Sequence, residues 1–426
     1  VERASPQGRY WAFYWPLALT GAVTVLGSQI QNGVLARLDE AATTLAAYAV
    51  AQAVLALFNA AQAFVPQLTN RFAHGDAARR RVRGYVLGLS ALLTLAVALL
   101  ATLGQRLIAF SFSLSPDLEG LVFAFLLALA PLVWLNGLRF YLIGRLIQRE
   151  QTGWVTVLNG IHLAVLIAAL ATGLTLAWGP VATLVGAQAL AGVVHAALAG
   201  TALSRTTPRA TSGDEPILPS YGRLSAFFGP VVFTGVMFAL SRPLLYGAIG
   251  GAGDGILTIA ALRIAFDFTF FFQQAANQFR HFFVTFGLAD LAEKRRFMLR
   301  VTFGLTLAMA LTGFTPLGTL LIAQGIGADA VVTERALAAL QVMTLLPLLI
   351  IVRNYFHGIL MVEERTGGMA QGSLLRVLTI FLLASALAPA NLLTPAGAAW
   401  ILLAGFAAET LVVAWRARPP PRPPDA

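Results

Sequence analysis

The chain has 426 residues, 58% of them hydrophobic and 11% charged, with a mean hydropathy of +0.76 and a formal charge of +10. Soluble domains carry roughly a quarter charged residues, so this composition excludes an ordinary soluble protein, and its apolar runs of bilayer length point to a polytopic helical membrane protein. Cysteine is absent, which excludes a disulfide framework and any thiolate metal site.

Twelve spanning helices are predicted, at 10–35, 42–67, 84–109, 119–147, 154–176, 180–203, 223–249, 256–284, 298–324, 335–361, 369–388 and 396–415. The opening stretch VERASPQGRYWAFYWPLAL has no small-residue cleavage motif after a short apolar region, so it reads as a permanent first helix. The connecting segments 1–9, 68–83, 145–153, 204–223, 285–300, 362–368 and 416–426 hold 20 of the 29 Lys+Arg, whereas the opposite loops hold Arg37, Arg106 and Arg335. Cytoplasmic loops carry the basic excess. Both termini are therefore expected in the cytoplasm of a bacterial inner membrane. The positive charge is explained by topology, and nucleic acid is not an expected partner.

The Pro/Ser/Thr-rich stretch SRTTPRATSGDEPILPS reads as a linker. The expected organisation is a six-helix lobe at 1–203, a linker at 204–222, a second six-helix lobe at 223–415 and a disordered Pro/Arg tail at 416–426. The halves repeat. RFYLIGRLIQREQTG (139–153) and RNYFHGILMVEERTG (353–367) both fit R-x-Y-x-x-G-x-L-x-x-x-E-x-T-G, 214 residues apart. Arg9, Ala12, Phe13, Pro16, Thr20, Gly21 and Gly33 recur at the same offset, from Arg223 to Gly247. FNAAQAF (58–64) echoes QQAANQF (273–279), and RRR (79–81) matches KRR (294–296). Such repeats build many transporters, with substrate sites near the bilayer midplane. Pro16 with Gly21, and Pro230 with Gly235, mark where the first and seventh helices are expected to bend.

Arginine at a helix centre costs about 2.5–3.5 kcal/mol on insertion scales, so the arginines within helices are the candidate substrate-binding residues. Arg139 and Arg353 stand at duplicate positions, each followed by a tyrosine, Tyr141 and Tyr355. Arg242 precedes Pro243, Arg376 lies in the eleventh helix, and Arg280 reads as an interfacial anchor. Arg263 is expected to pair with Asp267 four residues on. Within the helices only Asp267 and Glu409 are clearly buried acids, few for an exporter of cations, whereas 28 of 29 basic residues are arginine, which pairs bidentately with carboxylate and phosphate. Gln52, Asn59, Gln62, Asn136 and Asn277 either line the same polar path or join helices as interhelical hydrogen bonds. His162 and His195 read as structural histidines, and no metal-ligand spacing, cofactor motif or catalytic constellation is present. GGAGDG (250–255) lacks the strand–turn–helix setting of a phosphate loop.

YWPLAL (14–19), LSRP (240–243), VR (352–353), LLR (374–376) and LAGFAAET (403–410) resemble, in the same order, segments of the progressive ankylosis protein family, within the MATE-like multidrug/oligosaccharidyl-lipid/polysaccharide exporter superfamily. The resemblance implies two pseudo-symmetric six-helix lobes around a central cavity, and export of a small polyanion such as pyrophosphate, a nucleotide or citrate. Arg242, Arg353 and Arg376 match family arginines, whereas Arg139 enters through the internal repeat. The expected protein is thus a monomeric, cofactor-free transporter in the lipid bilayer that grips an anion with arginines by alternating access. The alternatives are a flippase for a lipid-linked, phosphate-bearing oligosaccharide, a cation-coupled multidrug exporter and a membrane scaffold.

Overall fold

The computed structural model describes residues 6–35, 41–112, 116–205, 218–250, 255–326, 328–389 and 392–418, and these are almost entirely helical. The expected linker falls largely outside them, as do most of the GGAGDG loop and of the Pro/Arg tail. The first repeat comprises α1 (Pro6–Leu35), α2 (Ala41–Gln62), α3 (Val65–Phe72), α4 (Asp76–Thr102), α5 (Gln105–Phe112), α6 (Pro116–Gln148), α7 (Thr152–Thr175) and α8 (Pro180–Arg205). The second comprises α9 (Tyr221–Gly250), α10 (Gly255–Asn277), α11 (Phe279–Phe286), α12 (Leu291–Phe314), α13 (Pro316–Thr319), a π-helical turn (Leu320–Ile326), α14 (Ala330–Met343), α15 (Leu346–Val362), α16 (Gly367–Leu387) and α17 (Pro395–Arg416). Ten segments among the described residues are long and apolar enough to cross a membrane, and the remaining two expected spans correspond to α1 and α10.

Several expected spans are interrupted, because proline removes a backbone donor where the ladder would continue. Pro66, Pro316 and Pro347 each sit in the first turn of the helix after a break. The FNAAQAF and QQAANQF echoes are where α2 gives way to α3 and α10 to α11. By contrast, α1 and α9 run unbroken through Pro16 and Pro230. Each of these prolines leaves the carbonyl four residues earlier without its usual donor. Thr152 reaches the Ala12 carbonyl at 3.4 Å in one repeat, and Thr366 the Ala226 carbonyl at 3.5 Å in the other.

Packing divides the chain into two compact units, Ala12–Ser225 and Val1–Trp11 with Ala226–Ala426. The division differs from the expected lobes in the placing of the starts of α1 and α9. The start of α1 belongs with the second unit because Tyr10 packs edge-on against Phe282 and Phe286, and Arg9 lies 5.0 Å over the Phe286 ring. The start of α9 belongs with the first, where Arg223, the repeat partner of Arg9, lies 5.6 Å over Phe72, the repeat partner of Phe286.

Most of the duplicated fifteen-residue motif proves architectural. Its tyrosines engage the basic start of the third span in each repeat. Tyr141 donates to the Arg79 carbonyl at 3.3 Å, and the Tyr355 hydroxyl accepts from Arg295 Nε and Nη2 at 2.9 and 2.6 Å. Both hydroxyls are thus engaged within the chain. Glu150 and Glu364 both take φ of 59°, the left-handed turn that ends the helix, and the threonines two residues later cap the proline-freed carbonyls. The first glycine permits a helix crossing. A Cβ on Gly144 would stand 2.7 Å from Thr69 Cβ, and one on Gly358 2.5–2.6 Å from the Phe283 side chain. Gly358→Ala is expected to cost about 1–3 kcal/mol of stability through this overlap. Thermal unfolding of detergent-purified protein checks it against Gly160→Ala, where a Cβ meets nothing within 4 Å.

Candidate functional site

In the second unit the arginines of α15 and α16 converge on one carboxylate of α17. Glu409 Oε2 accepts from Arg353 Nη1 at 3.2 Å and also from Arg376 Nη1, while Oε1 accepts from Ser373 Oγ at 2.9 Å and lies 3.6 Å from His357 Nε2. Arg353 is 2% exposed, and Arg376 and Glu409 are 0% exposed. The Phe406 ring lies 5.1 and 5.2 Å from the two guanidinium carbons, a cation–π contact that partly replaces lost hydration. Glycines let α16 and α17 approach closely enough to seal the charges: a Cβ on Gly405 would stand 3.1 Å from Arg376 Cγ, and one on Gly372 3.3 Å from Glu409 Cγ. On the other side of Arg353, Asn277 Oδ1 accepts from Arg353 Nη2 at 3.2 Å, Arg280 Nη2 at 2.5 Å and Asn354 Nδ2 at 3.2 Å.

Arg353 and Arg376 are enclosed, and Glu409 reaches them from the neighbouring helix to supply the anion they pair with. Two expectations are corrected. Arg280 is no interfacial anchor but a buried member of the same cluster, 8% exposed. Arg263 and Asp267 do not form the expected ion pair. Both lie on the exposed face of α10, and the Asp267 carboxylate interacts with Arg242 as well as Arg263 without closing on either.

Arg242 itself has no hydrogen-bond partner at Nη2 and rests on the rings of Phe266 and Phe270, at 4.6 and 5.6 Å. Gln52 is absorbed into a network joining α1, α2 and α8. It donates to the Tyr48 hydroxyl at 2.7 Å, which donates to Gln31 at 2.8 Å, and Gln188 donates to both. Gln62 donates to Ser90 Oγ and to the Val133 carbonyl, each at 3.0 Å. These two amides join helices. Asn59 Oδ1 is buried without a partner.

The first unit holds the repeat counterpart of the cluster with different chemistry. Arg139 occupies the place of Arg353, His195 that of Glu409, His162 that of Arg376 and Gly192 that of Phe406, each 214 residues earlier. Arg139 donates to Asn136 Oδ1 at 3.1 Å and to His195 Nδ1 at 3.5 Å. The two imidazoles meet edge to face at 5.8 Å. No carboxylate pairs with Arg139 among the described residues, and Arg139 Nε, His195 Nε2 and His162 Nδ1 are buried without partners. The histidines were missed as site residues because nothing local distinguishes them. The repeat offset, applied to Arg376 and Glu409, points to both.

No protein-family model matches the chain, and no curated protein matches it in sequence. Solved structures do. The chain is similar to a MOP superfamily transporter from Pyrococcus furiosus, at 15% identity and TM-score 0.74 over 97% of this chain and 95% of that one. It is similar to a multidrug resistance MATE family transporter in an outward-facing conformation, at 15% identity and TM-score 0.75 over 97% and 95%. A MATE transporter of Vibrio cholerae aligns at 15% identity and TM-score 0.76 over 97% of both chains. The fold is that of the MATE transporters. Within this MATE-like fold the Glu409 carboxylate is what makes the buried arginines of the second unit tolerable. Breaking a buried pair by removing one partner costs about 3–5 kcal/mol. Glu409→Gln, which strands two guanidiniums, is expected to lower the unfolding temperature more than any other conservative change in α17, as read by thermal unfolding in detergent.

Proposed function

We propose that this protein is a transporter, not an enzyme, that exports a small organic or phosphate-bearing polyanion by alternating access, acting as a monomer with both termini in the cytoplasm. The observation that carries the reading is Arg139, a guanidinium at membrane depth with amide and imidazole partners and, among the described residues, no carboxylate. Arg242, which rests on two rings with Asp267 near but not closing on it, and Arg263, on an exposed helical face, offer the second unit's guanidiniums to the same class of ligand. Arginine's planar fork suits carboxylate and phosphate oxygens, which is the chemistry of pyrophosphate, citrate and nucleotides and of the progressive ankylosis resemblance. Pro16 and Pro230, with Gly21 and Gly235, are the positions where α1 and α9 bend during transport.

A cation-coupled multidrug exporter is the second reading, favoured by the multidrug MATE transporter among the similar structures. It needs a carboxylate free to exchange cations. Glu409 is held by two arginines, and Asp267 interacts with two more. For the Pyrococcus furiosus transporter, reversed polarity of the binding pocket suggests a different function. The guanidinium excess here argues for an analogous change of substrate sign.

Charge-assisted hydrogen bonds contribute about 1.5–3 kcal/mol each, so Arg139→Ala and Arg242→Ala are each expected to reduce uptake of labelled pyrophosphate or citrate into proteoliposomes by about tenfold or more. Undiminished flux in both variants, with normal membrane insertion, rejects the anion reading. Gradient-driven dye efflux from the same liposomes establishes the cationic one.

A further inference from the structure

The two repeats solve the same problem with different groups. In the second unit, two guanidiniums and a carboxylate close on one another, so the counter-ion is part of the chain. In the first unit, position 195 carries an imidazole where 409 carries a carboxylate, and position 162 carries an imidazole where 376 carries a guanidinium. A buried charge without a counter-ion is costly. Arg139 has only neutral partners, and no aromatic ring stands over it among the described residues, since the position of Phe406 is Gly192.

We propose that Arg139, His195 and His162 form a site that binds a small monovalent anion, a carboxylate or halide, together with one proton. The anion takes the role that the Glu409 carboxylate fills in the other repeat. The proton goes to His162, giving that position the charge Arg376 has permanently. The hydrogen bonding already present favours this assignment. Arg139 Nη2 stands 3.5 Å from His195 Nδ1, a contact that needs the His195 proton on Nε2, where the nitrogen is buried without a partner. The Nδ1 of His162 is buried and unpartnered. The charged and titratable groups acting on the two imidazoles are Arg139 from α6, His162 from α7 and His195 from α8, with no carboxylate contributing. Protonating His162 beside Arg139 without an anion therefore places two like charges in a partly buried setting. An entering anion removes that repulsion, so anion and proton each raise the affinity for the other.

This inference rests on reading Arg139 as an anion-binding group, and binding tests it separately from transport. Formate, the carboxylate head of Glu409 without its chain, is titrated calorimetrically into the detergent-purified full chain, in buffers of differing ionisation enthalpy. The expected result is one site with uptake of about one proton per formate near neutral pH, and an affinity that falls about tenfold per pH unit on the alkaline side, as one linked proton requires. His162→Arg is expected to bind formate with no proton uptake and no pH dependence. His195→Glu is expected to abolish binding, because the chain then supplies its own carboxylate. Formate binding without proton uptake in the unsubstituted protein, undiminished binding in His195→Glu, or no binding at pH 5.5 overturns the proposal. A protein that binds formate with a proton but moves no polyanion keeps this site and loses the transport reading. One that moves polyanion with unchanged pH dependence in His162→Arg does the reverse.

Discussion

A guanidinium within a helical bundle at membrane depth must find an anion, and the arrangement of this protein follows from how each repeat meets that demand. In the second unit the anion is part of the chain itself. Glu409 projects from α17 between the arginines of α15 and α16, Ser373 and His357 attend its other oxygen, and Phe406 covers both guanidiniums. The cluster is closed to the surface, and glycines at 372 and 405 hold the helices near enough to keep it so. In the first unit the same architecture leaves the question open, with Arg139 resting on Asn136 and His195.

The duplication was legible in the sequence, and the structure explains why so much of the fifteen-residue motif persists in both copies. The tyrosines tether the basic segments, the first glycines let α3 and α11 cross α6 and α15, the glutamates turn the chain left-handed, and the threonines answer the prolines of α1 and α9. Those roles were not readable, because each partner lies far away in sequence: Arg79 is 62 residues from Tyr141, and Ala226 is 140 from Thr366. A motif that looked like a ligand-binding signature is mostly a joint, with a membrane-embedded arginine at its head.

The site itself was legible in part. Arginine at helix centres picked out the guanidiniums that the fold buries together in the second unit, but local spacing could not say that Arg353 and Arg376 share an acid while Arg139 has none among the described residues. Glu409 lies 56 residues from Arg353, on a helix whose packing only the fold reveals. Local spacing misled for Arg263 and Asp267, where the i,i+4 rule assumes an isolated helix and a nearby Arg242 competes for the carboxylate. The amides divided: Gln52 and Gln62 are helix-joining groups, Asn136 and Asn277 orient arginines. The same asymmetry bears on the fold's known breadth. Solved structures with this architecture include a multidrug transporter and one whose pocket polarity is reversed, and here the difference between repeats is carried by a few side chains at equivalent positions.

Diffraction from crystals soaked in bromide at pH 5.5, recorded at the bromine absorption edge, tests the central contrast between the repeats most directly. The account predicts an anomalous peak within hydrogen-bond distance of Arg139 and His195, and none among Arg353, Arg376 and Glu409. Bromide absent from the first unit at that pH, or present equally in both, would contradict it.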